Sequence, residues 1–384
     1  MSFRCADGRV HTHIKQTMET GRASSSKPPL QNLANRREDD FRYILGTLSE
    51  ESKLVGRYTD WIPYPMYPHS QRTIFRAGPG CVLMESDYTG AELAGIMWMA
   101  QDPQGIEDVR RNSLDPSHPE YRDIHANMAI QAFHLDCAPT KKALAAIGKA
   151  GLRVAAKNII FGVPYGRGAE AIARQCREEG VNITVQEAQQ IIDYYFTRYP
   201  RVRDFLEECF GCVTNPGYML GCFGRVRRFD WTSDKTVRSA QERQAGNFRI
   251  QNLVADAVWT ALAEMYDYRE QQNIDFRFAL QIHDAIMLEV PFASVGRVYR
   301  EVFPICMNDR VDIWPCRANG DRLPLTEPYH LYGAREVMFR WGTDINETAE
   351  KVLGRSDIDI YELLKDPAND AKVASLLNIF AQAA

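Results

Sequence analysis

Two hydrophobic periodicities divide the chain. The apolar run CVLMES (81–86) is short and preceded by Gly-Pro-Gly, which predicts a buried strand ended by Asp87. Helix formers follow in TGAELAGIMWMA, with Thr89 placed to cap them, so the predicted order is strand, Asp, helix. From about residue 101 to 224 the pattern is helical, including KKALAAIGKAGLRVAAKNIIFG and VQEAQQIIDYYFTRY, and a further helix is predicted over 239–270. Strict alternation returns in FRFALQIHDAIMLEVP, where apolar residues flank His283-Asp284 on both sides. That pattern predicts a hairpin with the dipeptide at its tip. SSSKPP (24–29) predicts a break, and the prolines of WIPYPMYPHS predict extended loop at the end of an insertion over 38–71.

The 384 residues suffice for two or three domains. With 45% apolar and 25% charged residues the composition excludes membrane, collagenous and disordered classes. A net charge of -4 excludes a uniformly basic binder, but a nucleic-acid enzyme needs positive charge only where phosphates run. No apolar stretch reaches the roughly 18–20 residues that cross a bilayer, so no membrane partner is expected. The N-terminus lacks an apolar signal region, and nine scattered cysteines fit reduced thiols in a cytoplasmic compartment. Cys209 and Cys212 form a C-x-x-C with Cys222 ten residues on, but no fourth ligand completes a zinc set, so two thiols on one helix is the reading.

Arg153, Lys157, Phe161 and Tyr165 recur every four residues. On one helix they would drift by about 40° per step and present two cations and two rings on one face over roughly 18 Å. Cations hold polyphosphate and rings pack on base and sugar, as a nucleoside triphosphate requires. A solvated basic stripe beside core aromatics explains the same spacing. Asp87 and Asp284 are the carboxylates to bring together, because two-metal phosphoryl transfer needs acidic oxygens around two ions about 3.5–4 Å apart. Taken singly, each also reads as a turn residue.

Five segments together resemble DNA polymerases of family A, the bacterial DNA polymerase I type. In order they are TGRASSSKPPLQN (20–32), DYTGAEL (87–93), RVAAKNIIFGVPYG (153–166), ERQAGNFRIQNLVAD (242–256) and LQIHDAIMLEV (280–290). The resemblance implies an α+β fold: a right-hand palm of antiparallel sheet with helices, plus helical fingers. It implies palm at 1–100 and 229–342, fingers at 101–228, and an acidic helical extension at 343–384. It implies two Mg²⁺ ions held by Asp87 and Asp284, with Tyr88 in the same set. His125, Arg153 and Lys157 would contact the triphosphate, Lys157 catalytically, Phe161 would lie near its sugar, and Tyr165 would help position the templating base. Glu92 would be the steric gate that excludes a ribose 2'-OH. Arg22, Gln31, Asn32, Arg243, Asn247, Gln251 and His283 would lie along primer-template DNA and the nascent pair. Outside the motifs, Glu92 reads as a surface acid, His125 as a capping or core histidine, and Gln251 as an ordinary helix polar residue.

Charge follows the same division. Residues 141–228 carry fourteen Lys and Arg against eight acids, densest in GRVRR (224–228), while the tail after Gly342 holds eight acids against four bases. Two features depart from the family. Ala285 stands where relatives commonly carry a second acid, and Glu289 is too far along the hairpin to replace it. Thr20 already begins the first motif, where relatives have a helical thumb upstream and often an exonuclease domain. The chain would then be either one subunit of a split, phage-like polymerase whose thumb comes from an upstream polypeptide, which is the expectation, or an excerpt of a longer protein. Its setting would be a bacterial or phage-infected host cell, with no proofreading in this chain. LLNIF (376–380) would dock that partner or pack back on the palm. Two alternatives are a catalytically weak DNA-binding relic and a single-subunit RNA polymerase.

Overall fold

The structure is a computed structural model and describes residues 5–16, 18–33, 71–114 and 117–383. The predicted insertion therefore lies outside the described residues except for its last position, where a tight helical turn, Gln71–Ile74, begins. The chain opens with two short strands, β1 (His13–Lys15) and β2 (Ser24–Ser26), paired antiparallel. Serines predicted to interrupt regular structure thus form a strand. Cross-strand bonding to 13–15 outweighs their weak propensity.

Strand β3 covers Cys81–Tyr88, two residues beyond the predicted end, because Asp87 is still paired on both sides and Tyr88 on one. Helix α1 (Ala91–Ala100) begins not at Thr89 but after Gly90, whose φ of 61° no capping side chain supports. Thr89 stays tied to the strand side through its N–H, which donates to the Tyr332 carbonyl at 3.1 Å. Glycine takes this left-handed corner without steric cost.

Seven helices follow: α2 (Pro103–Asn112), α3 (Ile124–Phe133), α4 (Lys141–Ala146), α5 (Ala150–Gly162), α6 (Ala169–Glu178), α7 (Val185–Arg198) and α8 (Pro200–Thr214). Their starts are encoded locally. Asp102 accepts from Gly105 N ahead of Pro103, Asp123 accepts from His125 N and Ala126 N, and Thr184 with Glu187 forms a reciprocal cap. The hairpin β4 (Tyr218–Leu220) and β5 (Val226–Arg228) then leads into α9 (Lys235–Gln272), longer at both ends than predicted.

The predicted hairpin is present as β6 (Arg277–Ile282) and β7 (Ala285–Pro291), with His283 and Asp284 between them. With β8 (Gly333–Met338) the central antiparallel sheet has the order β6-β7-β3-β8. Its rear face carries Val82, Met84, Tyr88, Ile286, Leu288, Val290 and Val337 into the main core with α9. Burying each large apolar side chain there stabilises by about 1.5–3 kcal/mol. The front face holds a smaller cluster of Leu83, Ile282, Ala285, Met287, Met338 and Trp341, with acids beside it. Antiparallel sheets beside helices that take in 54% of the described residues make the fold α+β.

The tail forms α10 (Ile345–Leu353), α11 (Ile360–Leu364) and α12 (Asp370–Ala383). Val373, Leu377 and Phe380 are buried against the chain's own core, and Arg300 pairs with Asp370 at 2.7 Å. Of the two readings of LLNIF, packing back on its own chain is the one observed. Cys209 and Cys212 are two buried thiols on α8, as the spacing implied. No described helix is long and apolar enough to cross a membrane.

Candidate active site

The sheet brings the two predicted carboxylates together. Asp87 is opposite Ala285 across β3 and β7, so Asp284 adjoins it, and the Tyr88 N–H donates to the Asp284 carbonyl at 3.4 Å. His283 precedes it in the left-handed region at φ 54°, which turns the chain within two residues and aims Asp284 back over the sheet end. Burial around its base, the facing Asp284 charge and the hydrogen bond between the two carboxyls push Asp87 up to about 7. Burial likewise raises Asp284. The pair therefore holds one proton near neutrality, since two adjacent carboxylates repel.

That arrangement fits a hard divalent cation. The donors are all oxygens, they sit on rigid strand ends, and their repulsion is relieved when a cation replaces the shared proton. Tyr88 contributes no side chain, because its ring is 1% exposed and its hydroxyl donates to the Met307 carbonyl at 2.7 Å. Only its main-chain carbonyl remains to offer. Two further acids face the same side of the sheet. Glu85 and Glu336 are directly paired, and both are raised chiefly by burial. Glu85 also accepts from Trp341 Nε1 at 3.1 Å. Glu289 is no substitute for the acid missing at 285, because Arg9 at 2.9 Å, Arg277 at 3.3 Å and the Gly78 N–H at 2.8 Å already engage it.

A second constellation joins Glu92, Tyr165 and Arg22. Glu92, in the first turn of α1, accepts a short hydrogen bond from the Tyr165 hydroxyl and pairs closely with Arg22. Burial, with the Glu92 charge, raises the Tyr165 phenol far above its ordinary range. Tyr165 is not on α5 as the four-residue spacing implied. The helix ends at Gly162 and Tyr165 closes a tighter turn, Val163–Tyr165. Pro164 has no N–H to continue the helical ladder, and Gly166 follows at φ 73°. A Cβ there would lie 2.6 Å from Arg243 Cγ, so Gly166 is what lets the Arg243 stem pack beside Tyr165.

The α5 face is otherwise as predicted, with one change. Lys157 is exposed and Phe161 half-buried, but Arg153 is engaged by Asp123 at 2.7 Å. Asp123 also caps α3, which carries His125. The His125 ring lies 5.9 Å from that of Phe161, and its Nδ1 is buried without a partner among the described residues. Burial pulls this histidine down to about 4, so it is neutral at pH 7.

The remaining predicted residues fall on three elements. Gln31 is 5% exposed and donates to the Gln281 carbonyl at 2.9 Å, while Gln281 donates to the His283 carbonyl at 2.5 Å. Gln31 thus braces the Asp284 turn and does not face outward. Asn32 and His283 are exposed. Arg243, Asn247 and Gln251 recur every four residues on α9, with Arg243 exposed, and the Asn247 Oδ1 is buried without a partner among the described residues.

Sequence reasoning missed the residues that hold Arg22 in place. Asn252 Nδ2 donates to the Thr20 carbonyl at 3.2 Å and Trp259 Nε1 to the Gly21 carbonyl at 2.9 Å. Arg225, paired with Asp256 at 2.8 Å, packs on Gly21, where φ is 82° and a Cβ would lie 2.8 Å from its Nε. Asn252 and Asp256 were discoverable as polar residues one turn apart within an otherwise apolar stretch of α9. Two arginines of GRVRR are thereby spoken for, since Arg227 pairs with Glu19 at 2.5 Å.

The family model for DNA polymerase family A matches residues 2–313. The chain belongs to DNA polymerase family A. It is 30% identical over 329 residues to DNA polymerase I of Geobacillus stearothermophilus, covering 85% of this chain and 31% of that protein. Identity to DNA polymerase I of Caldicellulosiruptor bescii is 28% over 290 residues, 75% of this chain and 28% of that one. The chain thus spans less than a third of these family A relatives. Among solved structures it resembles the polymerase domain of Pol1 from M. smegmatis, solved in complex with DNA primer-template and dNTP. The TM-score is 0.64 at 25% identity, over 88% of this chain and 49% of that one.

Proposed function

We propose that this family A chain performs template-directed DNA synthesis, adding deoxynucleotides to a primer 3'-OH. The observation that carries the reading is the Asp87 and Asp284 pair, connected through Arg22 to Glu92 and Tyr165. Arg22 is the basic side chain whose charge favours ionised Asp284, and it pairs with Glu92, which holds Tyr165. The carboxylate pair and the aromatic turn after α5 thus belong to one connected site.

In this reading residues 1–100 and 229–342 are palm, 101–228 are fingers, and 343–384 are an appended acidic tail braced on the palm. Two Mg²⁺ ions held by Asp87, Asp284 and the Tyr88 carbonyl would supply Lewis-acid activation of the primer hydroxyl and neutralise charge on the phosphates. The primer oxygen attacks the α-phosphorus and the bond to pyrophosphate breaks. Lys157, already solvent-facing, meets the triphosphate charge, and Arg153 joins it from its anchor on Asp123. Neutral His125 offers a hydrogen bond without adding charge. Phe161 packs against the sugar, and Glu92 closes the space a 2'-OH would need. For a base pair to enter, Tyr165 has to release Glu92, which is a gating motion and not the chemistry. Arg22, Asn32, Arg243, Asn247, Gln251 and His283 line the DNA path, with Gln31 positioning the turn beneath it.

The partners are primer-template DNA and a dNTP. The chain aligns with 49% of the Pol1 polymerase-domain chain, so a thumb to grip the duplex would come from polypeptide outside these 384 residues. The test is primer extension by the purified chain with Mg²⁺ and four dNTPs, with and without an added thumb-bearing polypeptide. Templated extension that the added polypeptide makes processive supports the reading. Binding of primer-template with no extension in either arm contradicts it.

A further inference from the structure

Helix α9 buries a guanidinium that no carboxylate among the described residues contacts. Arg249 is 1% exposed, and among the described residues its contacts are the Cys316 carbonyl, the Cys316 sulfur at 3.7 Å, the Cys209 sulfur at 4.0 Å and the Phe205 ring at 5.1 Å. Glu208 adds a favourable charge without forming an ion pair, and a buried cation that no anion contacts is destabilising. Of these contacts only the thiols can become anions. Cys316 also has a second sulfur beside it, that of Cys222, at 3.7 Å. The two cysteines are 94 positions apart, and the Leu220 N–H, donating to the Ala318 carbonyl at 2.8 Å, already clamps their segments together.

A cavity of about 360 Å³ opens against Cys316, lined also by Arg201, Asp204, Glu208 and Arg317. Cys316 is itself 4% exposed, so a small molecule that fills this cavity comes up against that residue. We propose that Cys316 is a peroxide-reactive sulfur resolved by Cys222, so that hydroperoxides entering this cavity convert the pair to an intramolecular disulfide.

The electrostatics support the geometry. The hydrogen bond with Cys222 and the Arg249 guanidinium pull the Cys316 thiol down to about 6, against the effect of burial and of Glu208. The same hydrogen bond, with burial, holds Cys222 well above the ordinary thiol range. Burial raises Cys209 and Cys212 as well, so the C-x-x-C that stands out in the sequence is not the reactive pair. The Cys316 sulfur attacks one peroxide oxygen and the O–O bond breaks. One oxygen remains on sulfur as sulfenic acid, and the other leaves as hydroxide or alkoxide and takes up a proton. The Cys222 sulfur, giving up its proton, then attacks the Cys316 sulfur and the sulfenic oxygen departs as water. Two electrons pass from the thiols to the peroxide. The sulfurs must close from 3.7 Å to about 2.05 Å, a small movement for the β4–β5 turn. The bond would pin that hairpin, which carries Arg225 against Gly21, to the segment around Arg317.

The experiment treats the full reduced chain with hydrogen peroxide at graded pH and maps its cysteines by peptide mass spectrometry. At pH 7 Cys316 should oxidise about tenfold faster than any other cysteine, with a rate that rises through about pH 6. The product should be a linked Cys222 and Cys316 peptide lacking two hydrogens. In Cys222→Ser the reaction should stop at a sulfenic acid on Cys316 that a 1,3-diketone traps. Preferential oxidation of another cysteine, or a Cys222–Cys316 link that forms only in denaturant, overturns the proposal.

Discussion

Asp87 pairs across the sheet with Ala285, and the residue before that alanine, Asp284, faces Asp87 with its carboxyl. Of three adjacent cleft positions, then, two are acids that share a proton and the third is a methyl group. With no carboxylate at 285, the proposed cation binding would rest on a pair whose charges repel when both are ionised.

Cation binding should therefore depend on pH. With Asp87 at about 7, a proton occupies the pair at pH 6 and is mostly gone at pH 8. A divalent cation has to displace it at the lower pH, so Mn²⁺ affinity should rise about tenfold from pH 6 to pH 8. Calorimetric titration in buffers of different ionisation enthalpy should register close to one proton released per site at pH 6. Affinity independent of pH contradicts the shared proton.

Glu92→Ala removes the acceptor for Tyr165 and the partner of Arg22. The proposed gate then opens, and incorporation of rNTPs relative to dNTPs should rise by roughly 10- to 100-fold in single-turnover extension. An unchanged ratio would assign sugar selection to another residue. A wild-type chain that already prefers rNTPs would favour an RNA polymerase.

Arg153 and Lys157 should separate stability from binding. Arg153→Ala strands Asp123, which is 6% exposed and also caps α3, and should destabilise the chain by about 1–3 kcal/mol. Lys157→Ala touches an exposed side chain and should stay within about 0.5 kcal/mol. Both should raise the KM for dNTP. Thermal melts beside steady-state kinetics distinguish the two, and equal melting temperatures would mean that the Asp123 pair carries no structural weight.

His125 links stability to acid. Its unfolded value is near 6.5 and its folded value about 4, so above pH 6.5 both states are neutral and nothing is lost. Between 6.5 and 4 the unfolded chain takes up the proton first, and stability falls by at most about 3 kcal/mol over that window. His125→Phe keeps a ring against Phe161 and removes the unpartnered Nδ1. Urea titrations at pH 7 and pH 4.5 should show a smaller acid-induced loss for the variant, and equal losses would contradict the account.

Much of the frame around Asp87 and Asp284 was legible because it is encoded locally. Alternation around His283-Asp284 and the apolar run before Asp87 fixed three strands and a turn, and the register that joins them follows from burying one face. What was not legible is tertiary. Arg153 and Asp123 are thirty residues apart in sequence, so the spacing on α5 showed a free cation where the fold makes an ion pair. Tyr165 left the helix because Pro164 ends the ladder, a local signal that the four-residue spacing obscured. Ser24–Ser26 became a strand only through its partner β1, and the neighbourhood of Cys222 and Cys316 depends on how α9 sits beside the β4–β5 hairpin.

The most direct test of the central claim compares Mg²⁺-dependent primer extension by the wild-type chain with Asp87→Asn and Asp284→Asn, supplying the same thumb-bearing polypeptide throughout. Each substitution removes a repelling charge, so the melting temperature should hold or rise while extension falls by at least about 100-fold. Extension near the wild-type rate by either correctly folded variant would show that the two acids do not form the catalytic centre.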